Sequence, residues 1–112
     1  MRTTMQRRTA IFLVLAGAFA VQANADEVWS GWTRITFLYP QSTGMNFNTA
    51  YANTSLSSCD SGTRWDISSA YPNYNTLVAT LIAAFASGKE INMNITVNPP
   101  ACAGVVNRFL VR

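Results

Sequence analysis

One amphipathic helix, set between segments of alternating residues, constrains the fold of this 112-residue chain more than any other feature. Its apolar residues recur at helical spacing, and this stripe consists of Tyr74, Leu77, Val78, Leu81, Ile82 and Phe85. Such spacing is typical of one buried face of an α-helix. Gly88 follows the stripe, as is common just beyond a helix C-terminus. The pattern therefore predicts one helix over residues 73–87.

The segments around this helix have the period-two patterns of β-strands. The predicted strands are Trp32–Tyr39, Met45–Tyr51, Thr63–Ile67, Ile91–Val97 and Val105–Val111. We expect a loop of about five residues, Pro40–Gly44, to join the first two strands as a hairpin. Alternation places several asparagines on the solvent-facing sides, namely Asn46, Asn48, Asn92, Asn94 and Asn98.

The order strand-strand-strand-helix-strand-strand is that of the OB-fold, a small Greek-key barrel. We therefore predict a fold that is mainly β with one α-helix, a five-stranded OB-fold-like barrel whose helix closes one end with its apolar stripe. A split α+β sandwich has the same elements and remains the alternative.

Residues 1–25 have the features of a secretory signal peptide. Arginines precede the apolar run Ala10–Val21, and Ala23-Asn24-Ala25 offers small residues for cleavage. The run is shorter than the roughly 20 residues that a membrane-spanning helix needs. We expect cleavage after Ala25, a single domain over residues 26–112, no membrane span after cleavage, and a periplasmic or secreted location.

Export brings the two cysteines into an oxidising compartment. Cys59 and Cys102 lie outside any CxxC motif, and the chain contains no histidine that could activate a thiol. We therefore predict a Cys59–Cys102 disulfide, which a small domain with a limited interior uses for stability.

The charge distribution argues against nucleic-acid binding. The net charge is +3, but Arg2, Arg7 and Arg8 of the predicted signal peptide supply all of that excess. Residues 26–112 hold five basic and five acidic residues, so they are formally neutral. A neutral domain has no electrostatic attraction to a phosphate backbone.

Catalytic and metal-binding signatures are absent from the sequence. Without histidine there is no histidine-based triad, and the scattered acidic residues form no metal-ligand or phosphate-loop motif. Arg64 and Asp66 lie on the same face of a predicted strand, and we expect a surface ion pair there. We predict a protein that is not an enzyme and has no cofactor or metal.

The outer side of the predicted helix is uncharged, which is unusual for a surface exposed to water. It consists of Thr76, Ala79, Thr80, Ala83 and Ala86. Small residues allow another backbone to approach, so this face is a candidate for contact between subunits of a homo-oligomer. The high helix propensity of alanine is the alternative explanation.

Two segments resemble the B subunits of the subtilase cytotoxin family. The passage from Tyr74-Asn75-Thr76-Leu77 through Gly88 to Lys89-Glu90-Ile91-Asn92-Met93 is similar to the helix-to-strand passage of that family, and Trp29-Ser30-Gly31 with Ile35-Thr36 is similar to its first strand. The chain also resembles a broad set of small exported bacterial proteins with the same layout. The resemblance implies an OB-fold, a ring of five subunits and recognition of glycans, with Ser30 in contact with the sugar.

Composition supports the same class of ligand. Amides and hydroxyls beside aromatic rings suit sugars, because they bond to the hydroxyls while the ring covers the C–H face. Together with the serine that the resemblance implies, this makes Ser30, Trp32 and Thr36 the candidate ligand-binding residues. A soluble sheet surface without a ligand is the alternative interpretation of the composition. We expect a non-enzymatic exported module that binds glycans as an oligomer. The alternative is a small periplasmic protein-interaction or structural domain.

Overall fold

The computed structural model describes residues 26–98 and 100–112, and the predicted signal peptide lies outside this part of the chain. The described residues form five strands and one α-helix. They are β1 (Glu27–Gln41), β2 (Gly44–Thr49), β3 (Arg64–Ser68), α1 (Tyr74–Ala86), β4 (Glu90–Thr96) and β5 (Gly104–Val111). A short 3-10 turn, Asp60–Gly62, precedes β3.

The five strands close into a ring in the order β1-β2-β3-β5-β4. Strands β3 and β5 pair in parallel, and the other neighbours pair antiparallel. This topology, with the helix between β3 and β4, is that of an OB-fold-like barrel. The predicted fold class is confirmed, and the closed ring does not match the split sandwich.

The core fills the inside of this ring. Its fully buried members come from four strands and the helix, and they are Phe47, Trp65, Ile67, Leu81, Ile91, Met93, Ile95 and Val106. Gly104 leaves space for the large Trp65 ring, because a Cβ at Gly104 would lie 2.5 Å from Trp65 Cζ3. Close approach of β5 to this tryptophan therefore depends on the glycine.

The hairpin between β1 and β2 is tighter than the sequence indicated. Pro40 pairs with Met45 and Gln41 with Gly44, so the turn is only Ser42-Thr43 and the predicted five-residue loop is wrong. Pro40 lies past Arg34, the last β1 residue paired with β4. Proline is tolerated there because the strand has only one neighbour.

Helix α1 ends as predicted but is buried less than predicted. Gly88 has φ +67°, and the Lys89 amide donates to the Ala84 carbonyl at 2.9 Å, which closes the C-terminus. Leu81 and Ala84 are the buried helix residues, whereas Ile82 and Phe85 of the predicted stripe are exposed. The helix covers the barrel with a narrower face than its apolar pattern suggests.

The Cys59–Cys102 disulfide is confirmed. Around it the backbone also pairs, with the Ser58 amide donating to the Ala101 carbonyl at 2.8 Å. The bond therefore joins the loop after β2 to the loop before β5. A disulfide is consistent with an oxidising, exported location. Within the described ranges, no helix has the length and apolar character to cross a membrane.

Candidate binding site

A β-bulge in β1 determines which side chains point outward near its N-terminus. Trp29 pairs with Asn94 and Trp32 with Asn92, so β1 has one residue more than β4 between these pairs. Simple alternation would put two residues three apart on opposite faces of the strand. The extra residue brings both tryptophans to the outer face, and Gly31, with φ +75°, takes the backbone conformation that this requires.

Ser30 stabilises the bulge through its side chain. Its hydroxyl accepts a hydrogen bond from the Met93 amide at 2.9 Å and donates to the Gly31 carbonyl at 2.7 Å. The Gly31 amide in turn donates to Asn92 Oδ1 at 3.1 Å. The backbone groups freed by the bulge are thus satisfied locally, and the position of Trp32 is fixed relative to β4.

Two arginines, one in β5 and one directly after it, lie over outward aromatic rings of β1. The guanidinium carbon of Arg112 is 4.4 Å from the Trp32 ring centroid, and that of Arg108 is 5.5 Å from the Trp29 centroid. Arg112 also donates twice to Glu90 Oε1, at 3.1 Å each. The Trp32 ring therefore packs against a guanidinium group that is itself paired with Glu90.

The same coverage explains why several asparagines are buried although they face outward. Asn94 lies on β4 between Trp29 and Arg108 in the cross-strand register. It is fully buried and bonds to Glu27 and Asn107. Asn46 and Asn48 on β2 are buried in the same way, so the prediction that these three amides are open to solvent is wrong.

An open depression of about 380 Å³ lies where β1 leaves β4 and begins to pair with β2. Its lining residues are Ser30, Trp32, Thr33, Arg34, Ala50, Tyr51 and Glu90. Trp32 is 37% exposed. Tyr51 is fixed by stacking on Trp65, with the ring centroids 5.7 Å apart, and by a bond from Asn53 Nδ2 to its hydroxyl at 3.0 Å.

The predicted ligand residues are only partly brought together. Ser30 and Trp32 both line the depression, whereas Thr36 is exposed on β1 and is not among the lining residues. The sequence reasoning missed the other five lining residues, which are Thr33, Arg34, Ala50, Tyr51 and Glu90. Only Gly31, a glycine inside a strand pattern, signalled that the strand changes face here.

The predicted ion pair between Arg64 and Asp66 is wrong. Arg64 Nε donates to Asp60 Oδ2 at 2.9 Å, while Asp66 Oδ1 accepts from Asn46 Nδ2 at 2.7 Å. Hydrogen bonds from Asn48 and Arg64 hold the pKa of Asp60 below its ordinary value. The 3-10 turn before β3 brings Asp60 to the arginine, which single-strand alternation cannot show.

The predicted oligomer face lies on the solvent side of α1. All of its members are exposed: Thr76, Ala79, Thr80, Ala83 and Ala86. The Thr80 hydroxyl donates to the Thr76 carbonyl at 2.8 Å within the helix. The polar groups of this face are therefore partly satisfied, and the exposed Ile82 and Phe85 add apolar area to the same helix.

The depression combines one aromatic surface with hydrogen-bonding groups of both kinds. Arg34 is a donor and Glu90 an acceptor, and they are directly opposed in the β1–β4 register. Over residues 26–98 and 100–112, no cluster of side chains has the composition of a metal site. The arrangement is chemically suited to holding a hydroxyl-bearing molecule against an aromatic ring.

The fold and this site together define a small disulfide-bonded, OB-fold-like domain with an aromatic depression on its surface. Comparison of the chain with protein families, with characterised proteins and with solved structures finds no match.

Proposed function

We propose that this protein is an exported, non-enzymatic binding module that recognises glycans through the depression beside Trp32. The observation on which the proposal depends is the Trp32 ring, exposed but held in place by Arg112 at 4.4 Å. An aromatic ring with a fixed orientation offers a flat apolar surface at little entropic cost, as sugar C–H faces require.

Groups around the ring supply hydrogen bonds to sugar hydroxyls. Arg34 and Glu90 offer a donor and an acceptor from opposed strands. The buried Thr33 hydroxyl accepts from the Tyr51 amide at 2.9 Å and keeps its own proton available for donation. A hydroxyl both donates and accepts, so this mixed set is better suited to a sugar than to an ion.

Ser30 acts, in this proposal, on the shape of the site. The resemblance to the toxin B subunits implies a serine that touches sugar, but the Ser30 hydroxyl already bonds to Met93 and Gly31. Its contribution is to fix the backbone of the bulge that directly precedes Trp32. Replacement of Ser30 by alanine should weaken binding through the position of Trp32.

Oligomerisation fits this type of site. A single open depression of about 380 Å³ encloses little of a sugar, so one site binds weakly. Several sites on one assembly raise the overall affinity by avidity. A ring of five subunits is the assembly implied by the resemblance, and the uncharged face of α1 is the contact surface that we assign to it.

The experiment is a glycan array probed with the oxidised protein displayed at high valency. We expect binding to a restricted set of glycans, weakened roughly tenfold or more by Trp32→Ala. Trp29→Ala is the matched control, because Trp29 lies on the same strand, is also covered by an arginine and does not line the depression. An array without binding, or equal losses for both variants, would contradict the proposal.

A second candidate function, a small periplasmic protein-interaction domain, is favoured by the exposed apolar residues of α1. Ile82 and Phe85 face solvent on a helix without a single charged residue. Crosslinking from a photoreactive residue placed at Phe85, in periplasm, would distinguish the two. This second function would be favoured by a crosslink to one specific other protein that disappears in Ile82→Glu, together with a glycan array that shows no binding.

A further inference from the structure

The outer face of β1, β2 and β3 is a second surface built from aromatic and polar residues. Two cross-strand rows follow from the register: Phe37–Asn48–Arg64 and Tyr39–Asn46–Asp66. Each row has an aromatic residue on β1, a buried amide on β2 and a charged residue on β3. None of these six residues lines the depression beside Trp32.

The aromatic ends of both rows are open to solvent. Phe37 is 48% and Tyr39 43% exposed, and they are neighbours on the same side of β1. The guanidinium of Arg64 lies 5.0 Å from the Tyr39 ring centroid, so this ring is held in place as Trp32 is. Together they form an aromatic surface next to the polar part of the rows.

Asp66 supplies an unusual acceptor beside these rings. Burial raises the pKa of its carboxyl, although the hydrogen bond from Asn46 opposes the shift. Among the described residues, the Asn46 amide is the hydrogen-bond donor to this carboxylate, and it uses Oδ1. A partly desolvated carboxylate with spare acceptor capacity gains from donors that a ligand brings.

The backbone leaves room for this carboxylate by means of a glycine. A Cβ at Gly44 would lie 2.7 Å from Asp66 Oδ1 and 2.6 Å from the Ile67 carbonyl oxygen. Any larger residue at the start of β2 would displace the Asp66 side chain. The orientation of Asp66 is therefore set by Gly44 on one side and Asn46 on the other.

We infer that this outer face is a second glycan site, selective for a neutral sugar: its hydroxyls donate to Asp66 while its C–H face lies on Phe37 and Tyr39. Arg64 does not attract acidic sugars there, because it is paired with Asp60 at 2.9 Å. The unpaired Asp66 carboxylate repels a uronate. The inference extends the proposed glycan-binding function, but it uses none of the residues beside Trp32.

The test is an NMR titration of the oxidised protein with neutral hexoses and N-acetylhexosamines, and separately with glucuronate. We expect at least one neutral sugar to shift the amide signals of residues 37, 39 and 66, with a clearly smaller effect from glucuronate. Asp66→Asn and Phe37→Ala should each weaken this binding by about tenfold, as for loss of a hydrogen bond to a charged group or of an aromatic contact.

Trp32→Ala is the control that separates the two sites, and it should leave these shifts unchanged. If the shifts vanish in Trp32→Ala but persist in Asp66→Asn and Phe37→Ala, the depression is the sole sugar site and the inference is wrong. Absence of any shift at residues 37, 39 and 66 with every neutral sugar also overturns it. If a sugar shifts the signals of residues 37, 39 and 66 but not those of the residues that line the depression, the result would count against the proposed site at Trp32 and support this one.

Discussion

Arg112 lies over the ring of Trp32, with its guanidinium carbon 4.4 Å from the ring centroid, while its Nε and Nη2 both reach Glu90 Oε1. The arginine thus links an aromatic residue of β1 with an acidic residue of β4 across the outer face. Its planar group does two things that an ammonium group cannot do together, stacking and double donation.

Replacement of Arg112 by lysine should therefore loosen Trp32 although the charge is kept. We expect a loss of about 0.5–1 kcal/mol in the free energy of unfolding, the scale of an exposed cation–π contact. NMR relaxation of the Trp32 indole N–H, which is resolved from those of the other two tryptophans, should also show increased ring mobility. Arg108→Lys is the matched control beside Trp29, and a change in Trp32 mobility that equals the control would contradict the assignment.

Replacement of Gly31 by any residue with a side chain should lower the stability of the protein. A Cβ at this position meets no atom within 4 Å, so the penalty comes from φ +75° alone. We expect Gly31→Ala to lower the free energy of unfolding by about 1–2 kcal/mol. Urea denaturation measures this value, and Gly31→Asn should lose less because asparagine adopts this conformation more readily. Equal stability of Gly31→Ala and the parent protein would show that the bulge does not need the glycine.

Asp60 and Asp66 should affect stability in opposite directions. The folded-state pKa of Asp60 is lowered, so its stabilisation is present above the unfolded-state pKa and is lost as the pH falls through the folded one. Asp60→Asn should be less stable than the parent at neutral pH. The folded-state pKa of Asp66 is raised, so folding favours its protonated form and its ionisation at neutral pH is unfavourable.

Asp66→Asn should accordingly be more stable than the parent at neutral pH, and Asn46 can still donate to the new amide oxygen. The Asp66 difference should shrink as the pH falls from neutral through the raised folded-state pKa and should be gone near about pH 4, the unfolded-state value. The Asp60 difference should shrink only below about pH 4, as the pH falls through the lowered folded-state pKa. Urea denaturation of the two variants across this pH range is the measurement. Shifts of the same sign at neutral pH would contradict the assigned environments.

Loss of the disulfide should destabilise the protein without changing its fold. The cysteines are 43 residues apart, and closing such a loop is worth up to about 4 kcal/mol in the unfolded state. The Ser58 amide donates to the Ala101 carbonyl beside the bridge, and we expect this hydrogen bond to remain without the sulfur–sulfur bond. A Cys59→Ser/Cys102→Ser double variant should therefore unfold at much lower urea concentration with an unchanged circular dichroism spectrum. A disordered spectrum in buffer would show that the bridge is required for folding itself.

Ala83→Glu tests the assignment of the α1 face. A charge at the centre of an uncharged, small-residue contact should dissociate an oligomer, because it would be buried without a partner. Light scattering coupled to size exclusion measures the mass. Lys89→Glu is the control, because it also introduces a glutamate but lies just past the end of the helix. An oligomer of unchanged mass in Ala83→Glu would remove this face from the interface.

The order of the elements could be predicted because each element depends on a pattern within one segment, and the disulfide could be predicted because residues 26–112 contain only two cysteines. Period two indicates a strand, period 3.6 indicates a helix, and two cysteines in an exported chain pair with each other. Gly88 marked the helix end for the same reason. These features need no knowledge of which strands become neighbours.

The surfaces could not be predicted, because they depend on side chains from several strands. Asn94 is buried because Trp29 and Arg108 lie on either side of it in the strand register. The sequence of β4 alone does not show which residues its neighbouring strands place there. Arg64 pairs with Asp60 because of the turn before β3. The helix exposes Ile82 and Phe85 while it buries Leu81 and Ala84 against the barrel, and its apolar spacing alone does not show which of these residues the barrel covers.

Strand β1 contains two register shifts, one between Trp29 and Trp32 and one between Ile35 and Phe37. Each shift reverses which residues along the strand face outward: odd-numbered at Trp29, even-numbered at Trp32 and Arg34, odd-numbered again at Phe37 and Tyr39. A one-residue deletion between Trp29 and Trp32 would turn Trp29 inward, provided that the rest of β1 kept its register. The same deletion would leave the surface at Phe37 and Tyr39 intact. The direction of Trp29 can therefore change independently of the surface at Phe37 and Tyr39, although a single continuous strand supplies all three rings.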